Sequence, residues 1–194
     1  MALVAVTLSA VKPVNTWAKE DLDGILRDGD RNHGALLARL GRLGQTNQRV
    51  GIYEMMRCSC LSITLGDQCY AMAGVKDTEV IGMVSTTPMD EATMEAFQMV
   101  DLQTGLERAL NGSDGAVVTI GDYSTAFIRD PRGGVRVWDS HCRGRDGLFR
   151  RNGRAVLLTL GSLDDVTPFV IKKLRSRKQT EAQYEVAGFQ LVEK

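Results

Sequence analysis

Apolar and polar positions alternate along the chain in two different rhythms, and the change of rhythm divides it. Residues 2–11 (Ala-Leu-Val-Ala-Val-Thr-Leu-Ser-Ala-Val) are almost uniformly apolar up to Pro13. Such a run is a buried helix or a buried strand, and periodicity does not separate the two. Thr16 is a candidate N-cap, with Glu20 and Asp21 in the turn behind it and Leu22, Ile25 and Leu26 on one helical face. Asp28-Gly29-Asp30 reads as a break, and Leu36, Leu37, Leu40 and Leu43 predict a second amphipathic helix, followed by a polar loop from Gly44 to Gly51.

Strand rhythm then takes over. Residues 58–65, 68–73 and 79–85 predict strands punctuated by Gly66-Asp67 and Gly74. Thr87-Pro88 offers a helix start, and Phe97, Val100, Leu102, Leu106 and Leu110 predict one long helix from about Met89 to Leu110, closed by Asn111-Gly112. Strands follow at 116–120, 124–129, 134–141 and 154–160, with Asp130-Pro131-Arg132-Gly133-Gly134 as a turn between the second and third. Thr167-Pro168 opens a short helix to about Arg175, and 184–192 predicts a final edge strand. Helices first and a largely antiparallel sheet afterwards make an α+β fold, and 194 residues fit one domain.

Composition narrows the picture. Hydrophobic residues are 43%, charged residues 25% and the formal net charge is zero, so no overall field favours nucleic acid. No run approaches 18 apolar residues, and no membrane span is expected. Five arginines between Arg143 and Arg154, and the basic stretch Lys172–Lys178, lack interleaved aromatics and read as solvated faces. Four cysteines are too few for a disulfide scaffold and point to a reducing interior compartment. The opening hydrophobic run lacks the basic leader of a signal peptide and reads as a core element whose natural beginning lies ahead of Met1.

The candidate chemistry lies in Val135-Arg136-Val137-Trp138-Asp139-Ser140-His141-Cys142-Arg143. On a strand, Val135, Val137, Asp139 and His141 share one face. A carboxylate beside an imidazole fixes its tautomer and stabilises its charged form, which is the supporting half of a cysteine or serine nucleophile site. The bland alternative is a strand end with two solvated polar groups. His33, in the predicted turn between two helices, reads as exposed. Cys58 and Cys60 fall on one face of a predicted strand and read as core, and Cys-x-Cys with no second pair is a weak zinc signal. Cys142 points away from the face of its neighbour His141. Cys69, after Gln68, is a candidate replacement nucleophile, although a plain strand cysteine is the commoner case.

Gly115–Val166 resembles the C-terminal half of the herpesvirus tegument-type deubiquitinases, a papain-like cysteine peptidase family. The residues that carry the likeness are Val117-Val118-Thr119-Ile120-Gly121-Asp122-Tyr123, Ala126-Phe127-Ile128, Val137-Trp138-Asp139-Ser140-His141-Cys142-Arg143, Gly147, Ala155-Val156-Leu157-Leu158 and Ser162-Leu163-Asp164-Asp165-Val166. Trp17–Asp30 is similar to the segment after the family's nucleophile helix, and Leu106–Leu110 to the helix before the first long strand; residues 44–85 match poorly. The resemblance implies a papain-like fold, with His141 as base and then acid, Asp139 as its orienting carboxylate, and ubiquitin or a ubiquitin-like protein as partner of a monomer. It implies no cofactor, no metal, no nucleic acid and no membrane. It also places the family's cysteine, and the glutamine that donates to the oxyanion, ahead of Met1. The chain as written is therefore expected to hold acid and base without the sulfur they activate, and to be inactive in this form; a non-catalytic binding module is the alternative.

Overall fold

In the computed structural model, which describes residues 1–41, 50–87, 90–96 and 99–193, an eight-stranded antiparallel sheet carries helices on both faces. The apolar opening run is a helix, α1 (Ala2–Val11), whose residues Ala2 to Thr7 are buried. It ends where Pro13 follows, with the Lys12 N–H donating to the Leu8 carbonyl. Helix α2 (Lys19–Arg39) and the short α3 (Ile52–Met56) lead into β1 (Leu61–Leu65), β2 (Gln68–Gly74) and β3 (Val80–Ser85). Then come α4 (Glu91–Ala96), α5 (Leu102–Leu110), β4 (Gly115–Ile120), β5 (Tyr123–Arg129), β6 (Val135–Arg143), β7 (Arg154–Leu160), α6 (Val166–Ser176) and β8 (Glu181–Glu193). The strand order is β1-β2-β8-β4-β5-β6-β7, with β3 also paired to β8.

Side-chain alternation sorts the core into two halves. Val117, Ala126, Trp138 and Phe189 face α1, where Val4, Ala5 and Val6 are fully enclosed. Val118, Phe127, Val137 and Val186 face α5 and α6 through Leu106, Ala109, Val170 and Leu174. A strand covered on both faces reads as a continuous apolar run, which is the pattern of Gly115-Ala-Val-Val and Ala126-Phe-Ile. Burying each Val or Leu of α1 contributes about 1.5–3 kcal/mol, so this short helix is held by packing rather than propensity.

Several expectations are corrected. Asp28-Gly29-Asp30 does not break the chain: α2 is one helix, and His33 lies on it, exposed, rather than in a turn. Tertiary bonds outweigh local propensity there. The buried Asn32 side chain donates to the Thr64 carbonyl and accepts from the Thr64 N–H, and Asp28 accepts from the Gly66 N–H. Gly29 is where the Met1 side chain packs, since a Cβ would meet it at 2.5 Å. The N-cap of α2 is Ala18 and not Thr16; the Asp21 carboxylate accepts the Ala18 N–H and pairs with Lys12. The predicted long helix is two, α4 and α5. Asp101 caps α5 by accepting the Thr104 N–H, a local signal that stops any continuous helix. Pro88, Met89, Phe97 and most of the predicted 44–51 loop lie outside the described residues.

The last strand is central rather than an edge. One side of β8 pairs with β4, from Gly115 opposite Phe189 to Ile120 opposite Tyr184, and the other side is shared by β3 and β2. Gly188 admits α5 to its backbone, since a Cβ there would lie 2.1 Å from the Ala109 carbonyl oxygen. The strand predicted from residue 58 begins at Leu61, so Cys58 and Cys60 lie half-buried in the turn after α3 rather than on a strand; Cys58 packs against the α1 half of the core, and Cys60 does not join it. Among the described residues no helix is long and apolar enough to cross a membrane.

Candidate active site

The hairpins of the sheet aim the site. The β4–β5 turn, Gly121-Asp122, needs a positive φ of 57° at Gly121. The β5–β6 turn is closed by Asp130, which accepts the Arg132 N–H and pairs with Arg136. Beyond Trp138, β6 leaves its register with β5, and it bulges against β7 between Asp139 and Arg143. A bulge bends a strand and re-aims its side chains.

At that bulge Asp139 and His141 meet. Asp139, 1% exposed, offers Oδ1 to the His141 backbone N–H at 3.0 Å and to the His141 ring Nδ1 at 2.7 Å. A carboxylate acceptor makes Nδ1 the donor and leaves Nε2 free for a substrate or nucleophile. The second oxygen, Oδ2, accepts from Arg143 Nε at 2.7 Å and from Lys173 Nζ of α6 at 2.8 Å. Burial alone pushes the Asp139 carboxyl up, but the His141 hydrogen bond and the Lys173 charge outweigh it and hold the group well below the usual carboxylate range. The carboxylate thus stays ionised, and four donors pin its orientation.

The imidazole is held from the side as well. Its ring meets Tyr123 of β5 edge-on, with centroids 4.7 Å apart at 76°. Arg177, just past α6, stacks its guanidinium 3.5 Å from the centre of the same Tyr123 ring. The Arg143–Arg154 and Lys172–Lys178 stretches are therefore not simply solvated faces. Arg143 is 2% exposed, and Arg143 and Lys173 both converge on Asp139. Their partners are set by the packing of α6 against the sheet, which charge spacing along the sequence does not register.

A cavity of about 680 Å³ opens beside the dyad, on the α1 side of the sheet. Its wall joins Met1 and Ala2 at the start of α1 to Asp122, Ser140 and His141. A helix N-terminus carries partial positive charge and unpaired N–H groups, an environment that stabilises an anion. The exposed His33 also borders this cavity, so both histidines of the chain reach it. None of the four cysteines lines it. Cys142 is exposed next to His141. Cys69 is exposed on β2, on the face opposite the buried Tyr70 and Met72, and Met72 belongs to the α1 half of the core. Strands β8, β4 and β5 stand between β2 and β6. That separation is about 19 Å along the sheet, which does not favour Cys69 as the partner of His141.

No protein-family model matches the sequence, and no curated protein matches it. Among solved structures the chain is similar to the ubiquitin-specific protease encoded by the murine cytomegalovirus tegument protein M48, crystallised in complex with a ubiquitin-based suicide substrate. The two are 14% identical, with a TM-score of 0.68 over 100% of this chain and 76% of the viral one. At that identity the likeness is one of fold: the α+β, papain-like arrangement expected from the sequence is the architecture of this chain.

Proposed function

We propose that this fold is the acid–base half of a cysteine isopeptidase directed at ubiquitin or a ubiquitin-like protein. The observation that carries the reading is the Asp139–His141 pair at one wall of a cavity whose other wall is the start of α1. A cysteine placed ahead of Met1 would enter that cavity at a helix N-terminus, beside an imidazole with a free Nε2. His141 would take the thiol proton, the thiolate would attack the isopeptide carbonyl, and His141 would return the proton to the departing lysine amine. Asp139 keeps the imidazole in the required tautomer throughout.

In this chain no cysteine borders the cavity, and that observation favours a second reading in which the chain holds a ubiquitin-like tail without cutting it. One experiment separates the two. A ubiquitin carrying a C-terminal electrophile is mixed with the chain as given and with a version extended by Gln-Cys ahead of Met1. The first reading expects an adduct only in the extended chain, lost on His141→Ala. Ubiquitin binding to both chains, measured by calorimetry, with no adduct in either, establishes the second reading. No binding and no adduct overturns both.

A further inference from the structure

Behind the dyad, on the α6 side of the sheet, lies a second and much smaller cavity of about 30 Å³. Its wall includes Tyr123, Arg143, Lys173 and Arg177, three cationic side chains with no carboxylate among the lining residues. Lys173 and the Nε of Arg143 are taken up by Asp139. The remaining guanidinium nitrogens of Arg143, Nη1 and Nη2, are buried and find no hydrogen-bond partner among the described residues. The Arg143 side chain is only 1% exposed.

Leaving buried charged donors unpaired is expensive, and native structures rarely do so. A water would satisfy the geometry but not the charge: three cations share one carboxylate. The strain is visible in Lys173, which burial pushes down and which Asp139 only partly restores against Arg143 and Arg177. Arg177 is lowered likewise, by burial and then by Arg143. The cavity, at about 30 Å³, has room for a water-sized occupant, which a monatomic anion matches more nearly than a five-atom oxyanion does.

We infer that the pocket between β6 and α6 is a binding site for one monatomic halide, chloride in a cell, held by Arg143 and Arg177. It lies on the far side of Asp139 from the substrate cavity and does not depend on the proposed reaction. Its occupant would neutralise the cations that compete with His141 for the Asp139 charge.

The test is thermal unfolding of the full chain at constant ionic strength, with sodium chloride or sodium bromide exchanged against sodium gluconate. A halide-specific rise in Tm that saturates is expected, about 5–10 °C when the halide reaches a hundred times its Kd. Arg177→Gln should weaken the apparent halide affinity about tenfold or more, Arg177→Lys should retain most of it, and Arg151→Gln, at an exposed position, should leave it unchanged. Crystals grown in bromide should show an anomalous peak between Arg143 and Arg177. Superimposable chloride and gluconate curves, a saturable rise that survives Arg177→Gln, or a larger rise with sulfate would each overturn the assignment.

Discussion

Replacing Asp139 by asparagine keeps the shape of the side chain and removes only its charge. The structure makes this change severe. The carboxylate is 1% exposed and receives Arg143, Lys173 and two nitrogens of His141. Asp139→Asn leaves two buried cations facing a neutral amide, and breaking a buried pair from one side removes about 3–5 kcal/mol. In a protein of this size that lowers Tm by about 6–20 °C. Urea denaturation in a gluconate buffer measures the loss without halide contributions. Adding Lys173→Met to Asp139→Asn removes one stranded cation, and the double variant should recover at least about 1 kcal/mol relative to the single. The pH dependence follows the same carboxylate. Its pKa is lower folded than unfolded. Its stabilisation is therefore fully present above the unfolded value of about 3.9 and is lost as pH falls below it towards the folded pKa. The acid limb of the stability curve should be steeper in the wild type than in Asp139→Asn. A loss below about 1 kcal/mol for Asp139→Asn, or strict additivity with Lys173→Met, would refute the idea that these cations depend on Asp139.

Three further outcomes are expected. Asn32→Ala strands the Thr64 N–H and carbonyl at the join of α2 and β1, and should destabilise the chain by about 1–3 kcal/mol in urea denaturation. Gly188→Ala drives a methyl into the Ala109 carbonyl and must push α5 off β8; a loss of about 1–3 kcal/mol or more in thermal melts is expected. Native-state alkylation followed by mass spectrometry should modify the exposed Cys69 and Cys142 well before the half-buried Cys58 and Cys60, and Cys69→Ser should change stability by no more than about 0.5 kcal/mol.

The parts of this fold legible in the sequence are those whose signal is local. The Asp130–Gly134 turn, the strands on either side of it and the α6 start at Thr167-Pro168 all follow from short-range chemistry, and all are present within a residue or two. The misread segments are those decided from a distance. Asp28 and Asn32 look like helix breakers along the chain, yet they are the residues that fasten α2 to the β1–β2 turn. The final strand looks like an edge because it comes last, yet β2, β3 and β4 pair with both of its edges, and its two faces are buried in the two halves of the core. Cys58 and Cys60 look like strand neighbours because Leu61 continues the same apolar rhythm.

The site divides along the same line. Asp-x-His is visible because the two side chains meet across two residues, and a strand bulge needs nothing further to join them. What makes the carboxylate unusual comes from farther off: Lys173 reaches it across 34 residues of chain, and Arg177 reaches His141 only through the ring of Tyr123. A cation run on a short helix carries no mark of which members will be buried. In α6 the marks are the apolar Val166, Val170 and Leu174, which turn one face to the sheet and carry Lys173 inward beside them. The carboxylate and imidazole of the candidate site thus lie together in one nonapeptide, while the charges that hold the carboxylate ionised are brought in only by the packing of α6.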